Sequence, residues 1–218
     1  MMDHEYVGNT GFKLRPTSEY FFSRPTYAEV QKDIDFFLSE SQKAIDLIVS
    51  KRYARAAIVF TAFYVESLAN LLAAHIRENF GQTAQLDDFI SRGDHWPKPL
   101  RTLYGAYLFL NKKPIGRGED WALDSSAVEE LFLIRNQVLA HPPARSIVAG
   151  TGVVAGQGLT QEAKPLALNK FAHFPNIYHE FAHCHALELY EEARLFLINY
   201  GRLLASNPTE PKIASLFA

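Results

Sequence analysis

The chain has 218 residues, of which 48% are hydrophobic and 21% are charged, and its formal net charge at pH 7 is −2. This length and balance predict one globular domain with a sizeable core, and the small net charge excludes a surface that is basic as a whole. Cys184 is the only cysteine, which excludes an internal disulfide and a cysteine-rich zinc module.

The first two predicted helices are long and follow each other closely. Thr26 and Glu29 have the spacing of a capping box, and apolar residues then recur at helical spacing to about residue 49. A second helix is predicted over residues 53–79, ending before Gly81. Because it carries apolar residues on nearly every side, we expect it at the centre of a helical bundle.

The most apolar run of this second helix, residues 54–76, is interrupted by polar side chains, which are Arg55, Glu66, Asn70 and His75. These interruptions predict a buried helix rather than a membrane span. The first residues of the chain are polar and show no secretory signal pattern. We therefore expect a soluble, cytoplasmic protein with no membrane partner.

Three shorter helices are predicted in the middle of the chain. Residues 86–91 and 100–110 form two of them, separated by Pro97 and Pro99. The third begins at a second capping box, formed by Ser126 and Glu129. It ends at the proline pair Pro142 and Pro143. Its apolar positions are Leu131, Ile134, Val138 and Leu139.

A glycine-rich segment, residues 144–168, follows without a helical period. We interpret it as an insertion, with a β-hairpin of residues 146–149 against 152–155 as one form. Gly150, Gly152 and Gly156 have a spacing similar to that of a dinucleotide-binding loop. Such a loop needs a buried strand before it and a helix directly after it. Neither flank of this segment is convincing as such an element, so we favour a flexible or hairpin insertion and expect no cofactor.

The last helix is predicted from about residue 175 to 204 and contains HEFAH, with His179 and His183 one turn apart. This is the H-E-x-x-H spacing of zinc peptidases, which also need a third protein ligand. Ala186 and Leu189 stand where metzincins have glycine and histidine. The next glutamates lie on the same helix and cannot fold back onto the pair, and they are Glu188, Glu191 and Glu192.

The same histidines also begin a stripe that steps by four and three residues along the helix. Its further members are Ala186, Tyr190, Ala193, Leu197, Tyr200 and Leu204. This periodicity predicts a packing face, which is the interpretation that we favour, with no metal site. A zinc peptidase, or a weaker metal site that uses His179 and His183, is kept as an alternative.

The segment LFLIRNQVLAHPPA, residues 131–144, places Arg135, Asn136 and then His141 at the end of an apolar helix. This pattern resembles the R-x(4–6)-H motif of HEPN domains. The segment RAAIVFTAFYVESLANLLAAHI, residues 55–76, is similar to the second long helix of that family, with Glu66 in the place of its acidic residue. The resemblance covers residues 26–204 without the insertion, and leaves an arm, 1–25, and a tail, 205–218.

The resemblance implies an all-α, antiparallel helical bundle that dimerises and cleaves RNA without a metal ion, often in toxin or antiviral defence systems. RNA, a second copy of the chain and an antitoxin or defence partner are the implied partners. Arg135, Asn136 and His141 are the implied catalytic residues. The Pro-Pro pair after His141 and the insertion are not required by the family pattern.

Helix geometry supports a composite site. Six residues of ideal α-helix turn His141 about 120° from Arg135 and displace it roughly 9 Å along the axis. Two copies packed face to face would bring two arginines and two histidines together. His141 at a helix C-terminus is suited to proton transfer, Arg135 to stabilising the phosphorane, and Asn136 to orienting the histidine or binding phosphate. The expected product is a 2′,3′-cyclic phosphate.

A silent binding bundle is the alternative to an enzyme. In that case Arg135 only pairs with a carboxylate, for which Glu66 and Glu130 are the candidates, and His141 only caps a helix. The near-neutral net charge favours this alternative. A local basic patch favours RNA binding, and it consists of Lys51, Arg52 and Arg55.

Overall fold

The computed structural model describes residues 26–81, 83–92, 96–115, 123–139, 180–205 and 217. All regular secondary structure within these ranges is helical, which confirms the predicted all-α class for them. The elements are α1 (Thr26–Lys43), α2 (Leu47–Phe80), α3 (Ala84–Ser91), α4 (Lys98–Leu110), α5 (Ser126–Leu133), a π-helical turn (Ile134–Leu139) and α6 (His183–Ala205). The arm 1–25, the predicted insertion 144–168 and nearly all of the tail lie outside the described residues.

The turn between α1 and α2 lies earlier than predicted. The first helix ends at Lys43 instead of near residue 49, and the second already begins at Leu47. Asp46 is the cause, because its side-chain Oδ1 accepts hydrogen bonds from the backbone N–H groups of Ile48 at 2.7 Å and Val49 at 3.3 Å. Such an N-cap satisfies N–H groups that otherwise have no partner at the start of a helix.

The hairpin of α1 and α2 is held by polar contacts at its turn and aromatic contacts below it. The Ser41 hydroxyl donates to the Ser50 carbonyl at 2.9 Å, and the Ser50 hydroxyl donates to the Ser41 carbonyl at 2.6 Å. Further along, the ring of Phe37 lies 6.3 Å from Tyr53 and 5.0 Å from Phe60. This order of contacts shows that the two helices run antiparallel.

Helix α2 forms the centre of the core, as predicted. Its fully buried side chains include Ile58, Val65, Leu68, Leu72 and Ile76. They pack against α1, α4 and α6. Burying an aliphatic side chain contributes about 1.5–3 kcal/mol, so this row of residues supplies much of the driving force for folding.

One face of α2 nevertheless stays open within the described part of the chain. Leu47 is 65% exposed, Ile48 is 62% exposed and Phe63 is 37% exposed. The predicted buried helix is therefore buried on one side only, since Phe63 lies within the predicted range 54–76. By length and composition α2 is also apolar enough to cross a membrane, and 56% of its most apolar 18-residue window is buried inside the protein. Core helices of soluble proteins share these properties.

The two short helices agree with their predicted positions. Pro97 caps α4, and Pro99 occupies its first turn, where its missing N–H costs nothing. Within α4, Gly105 permits a close approach to α3, since a Cβ atom there would lie 2.8 Å from Leu86 and 3.0 Å from Phe89. A larger residue at position 105 would therefore force the side chains of Leu86 and Phe89 to shift.

The start of α5 differs from the prediction in its capping residues. Ser125, not Ser126, is the N-cap residue, and its hydroxyl donates to the Glu129 carboxylate at 2.8 Å. Asp124 accepts from the Ser126 backbone N–H at 3.0 Å. The predicted apolar positions of the following helix are all buried, and they are Leu131, Ile134, Val138 and Leu139.

The ionisation of two core tyrosines makes the free energy of unfolding depend on pH in the alkaline range. Burial raises the pKa of Tyr64 to about 12. Burial also raises the pKa of Tyr200 well above its usual value of 10.0, and its hydroxyl donates to the Leu103 carbonyl at 2.8 Å. Because the unfolded chain ionises first, their contribution is complete below the unfolded pKa and is lost as pH rises toward the folded pKa.

We therefore expect the free energy of unfolding to fall above about pH 10, by up to about 1.4 kcal/mol per pH unit for each buried tyrosine. Tyr64→Phe should lower this slope, because phenylalanine has no proton to lose. Urea unfolding at several pH values measures the slope. Identical slopes for the wild type and the variant would contradict the assignment.

Candidate functional site

The π-helical turn carries the polar pair Arg135 and Asn136. The pair is flanked by buried side chains, since Ile134 is fully buried and Val138 is 2% exposed. These apolar anchors hold the turn against α2 and direct the two polar residues outward. Short π-helical turns inside helices are rare and occur often at functional sites, so this turn marks the first place to look for a site.

Three groups surround the Arg135 guanidinium. Its carbon Cζ lies 5.2 Å from the centroid of the Phe63 ring, within the range of a cation–π contact. Its Nη2 lies 3.5 Å from the Glu66 carboxylate, and its Nη1 donates to the Asn136 side-chain oxygen at 2.9 Å. We call Phe63, Glu66, Arg135 and Asn136 the arginine cluster.

The cluster is open to solvent on one side. The Arg135 side chain is 25% exposed and that of Glu66 is 38% exposed. Of the five N–H donors of a guanidinium, the one directed at Asn136 is the only one that is hydrogen-bonded within the described residues. The Glu66 contact is too long for a strong, charge-assisted hydrogen bond. The remaining donors can therefore bind an anion.

The pairing with Glu66 answers one question that the sequence left open. Glu66 and Glu130 were both candidate partners of Arg135, and the structure places Glu66 beside it. Glu130 is 4% exposed and belongs to the buried side of α5. Glu66, rather than Glu130, is therefore the carboxylate that contacts Arg135.

The predicted relation between Arg135 and His141 is not described by the structure, because His141 lies outside the described residues. The expected turn of about 120° and displacement of roughly 9 Å assumed ideal α-helix. That assumption is wrong for residues 134–139, since they are π-helical, with wider turns and i→i+5 hydrogen bonds.

The basic residues near the start of α2 are separate from the arginine cluster. Arg52 is exposed, and Lys51 and Arg55 are partly buried. Arg52 lies eleven residues before Phe63 on the same helix, which is about 16 Å along the axis. In a single copy, these cations therefore do not add to the charge of Arg135.

HEFAH does not lie on one continuous helix. Helix α6 begins at His183 and not near residue 175, and residues 181–182 before it are not helical. His185 helps to fix this start, because its Nδ1 accepts a hydrogen bond from the Ala182 N–H at 3.1 Å. His179 lies outside the described residues. The predicted packing stripe is confirmed from Ala186 onward, and its buried members are Ala186, Tyr190, Ala193, Leu197, Tyr200 and Leu204.

His183 is partly buried, and its Nδ1 has no hydrogen-bond partner among the described residues. Those residues contain no group of three or more histidine, cysteine, aspartate or glutamate side chains arranged to hold a metal ion. A zinc peptidase needs its two histidines one turn apart on a single helix, whereas residues 181–182, directly before His183, are not helical. The break in the helix directly before His183 therefore argues against the zinc alternative.

We expect protein purified without chelators to contain zinc well below one equivalent per chain, since the residues directly before His183 are not helical. Elemental analysis of dialysed protein measures this, with a His183→Ala variant as the matched control. Stoichiometric zinc in the wild type that disappears in the variant would contradict the packing interpretation.

Sequence reasoning missed Phe63 as a member of the cluster, because residues 54–76 were predicted together as a buried helix. Its spacing of three residues from Glu66 was the available signal, since such residues share a helix face.

A cavity of about 140 Å³ lies between α5 and α6. It is lined by other residues, among them Asp124, Glu192 and Asn199, and no member of the arginine cluster lines it.

No family model matches the chain, and no curated protein or solved structure is significantly similar to it.

Proposed function

We propose that the protein is a metal-independent endoribonuclease of the HEPN type, acting in a toxin or defence setting in the cytoplasm. Arg135, Asn136 and His141 form its catalytic residues, and the site is composed across a homodimer. The observation that carries the proposal is the Arg135 guanidinium, which lies over Phe63, donates one hydrogen bond to Asn136 and belongs to a side chain that is 25% exposed.

The arginine cluster supports a role in phosphate binding. The Phe63 ring lies below the Arg135 guanidinium and limits the movement of that group. The hydrogen bond from Nη1 of Arg135 to the side-chain oxygen of Asn136, at 2.9 Å, fixes one edge of the guanidinium. A planar guanidinium that is held in this way offers parallel N–H groups to two phosphate oxygens. Since little side-chain freedom is left to lose, binding costs less entropy than it would for a free surface arginine.

The proposed reaction begins with removal of the RNA 2′-OH proton by a histidine acting as general base. The 2′-oxygen then forms a bond to phosphorus, and the bond from phosphorus to the 5′-oxygen breaks. A second histidine donates a proton to that leaving oxygen. The products are a 2′,3′-cyclic phosphate and a 5′-hydroxyl, and Arg135 stabilises the additional negative charge of the phosphorane.

The two histidines are His141 from each copy, which is why the proposal includes a dimer. Each would lie at a helix C-terminus, whose partial negative charge stabilises an imidazolium. Within this scheme Arg135 supplies the charge stabilisation and His141 the proton transfer, so no step requires a metal ion. RNA is thus the proposed substrate, with an antitoxin or defence protein as a further partner.

The Glu66 contact favours a second candidate function, a catalytically silent binding bundle. A carboxylate 3.5 Å from Arg135 compensates part of the positive charge that a phosphate would need. In this alternative the arginine cluster only fastens the π-helical turn to α2. The net charge of −2 agrees with it as well.

RNA cleavage distinguishes the two candidates. We expect Arg135→Ala to lower the cleavage rate by roughly 10²–10³-fold, as is usual when a transition-state donor is removed. His141→Ala should abolish cleavage, and EDTA should have no effect on the wild type. The assay follows an RNA pool by gel and tests the 3′ ends for cyclic phosphate.

Two control variants separate chemistry from packing. Arg202→Ala removes an arginine that also contacts an asparagine, Asn199 at 3.2 Å, but lies on α6 outside the cluster. His179→Ala removes a histidine outside the motif. Both should cleave RNA like the wild type. A wild type that cuts no RNA would favour the silent bundle, and a His141→Ala variant that cuts as fast as the wild type would contradict the role assigned to His141.

A further inference from the structure

The open face of α2 forms a regular stripe. Its members follow one another at steps of four or three residues, the spacing of a helix-packing surface. Each member is at least partly exposed, although the opposite face of the same helix is buried. The stripe consists of Ile48, Arg52, Ala56, Val59, Phe63, Glu66 and Asn70.

The stripe is complementary to itself. Arg52 lies seven residues before Val59, and Glu66 lies seven residues after it. Each charge is therefore about 10 Å from Val59 along the axis, on nearly the same side of the helix. If two such helices pack antiparallel about a two-fold axis at Val59, each Arg52 faces the Glu66 of the other helix.

The centre of the stripe suits close packing. Val59 and Ala56 are small and partly buried, and Phe63 next to them is 37% exposed. Small apolar residues at a helix crossing let the axes approach to about 8–10 Å. Burial of these side chains would supply the apolar contribution, while the Arg52 and Glu66 pairs would fix direction and register.

We propose that a second copy of this chain packs its α2 antiparallel against this stripe, with the two-fold axis at Val59. The alternation of opposite charges at symmetric positions selects this occupant. An anionic lipid surface would be attracted by Arg52 but repelled by Glu66. A two-fold interface is by necessity self-complementary, and the stripe has that property.

This arrangement completes the arginine cluster. Glu66 already lies 3.5 Å from Arg135, so the partner's Arg52 would reach the same carboxylate. The cluster of one copy then contains two arginines and one glutamate, and it carries a net positive charge that a single copy lacks. The role of this second arginine in phosphate binding rests on the proposed function, whereas the dimer itself does not.

Two charge reversals test the pairing. Arg52→Glu places two carboxylates opposite each other, and Glu66→Arg places two guanidinium groups opposite each other. Either variant alone should dissociate roughly a hundredfold more readily than the wild type, because like charges face each other twice in the interface. A mixture of the two variants restores both opposite-charge pairs, and it should form a heterodimer with nearly the affinity of the wild type.

Light scattering at tens of micromolar and sedimentation across a dilution series measure these equilibria, and circular dichroism checks that each variant is folded. A monomeric wild type, variants that dimerise like the wild type, or a mixture that stays monomeric would overturn the proposal. If the mixture dimerises but the wild type cuts no RNA, the interface stands and the proposed function fails.

A cysteine at the two-fold axis provides a second measurement that does not depend on charge. In a Cys184→Ser background, Val59→Cys should give a disulfide-linked dimer under mild oxidation, since the two side chains meet at the axis. Ala74→Cys lies on the same side of the helix but about 22 Å from Val59, and it should not link. Equal linkage at both positions, or none at Val59, would contradict the proposed register.

Discussion

The structure depends on the incomplete burial of α2. One side of this 34-residue helix supplies the central row of the core, while the other side remains open within the described residues. The buried side fixes the position of α2, so the residues on the open side are held rigidly without being covered. Phe63 and Glu66 belong to this open side, and the Arg135 contacts follow from their placement. The core thus positions the candidate site.

The electrostatics of the arginine cluster decide between an enzyme and a binding bundle. Alone, Arg135 and Glu66 nearly compensate each other, and exposed ion pairs of this kind contribute little to stability, commonly below about 1 kcal/mol. Their value for folding is therefore small. A second arginine from a partner would shift the balance toward phosphate binding, and it would connect dimerisation with activity. In this account, a single copy of the chain does not cleave RNA.

The helices could be predicted from the sequence because their signals are local, whereas the site depends on contacts between helices. The apolar spacing predicted the positions of α2 and α4 and the buried residues of α6. The predicted starts of α2 and α6 were wrong. Asp46 was overlooked because apolar residues continue on both sides of it, and His185 caps α6 without belonging to a usual capping pattern. The π-helical turn has no periodic signal, and the exposure of Phe63 depends on which helices cover α2.

The rate of RNA cleavage per chain, measured as a function of protein concentration, tests the composite site most directly. If catalysis requires Arg135 and His141 from two copies, the rate per chain should rise with concentration and level off along the same curve as the dimer fraction. A rate per chain that stays constant while the monomer converts to dimer would show that one copy is sufficient. No cleavage at any concentration would leave a binding bundle.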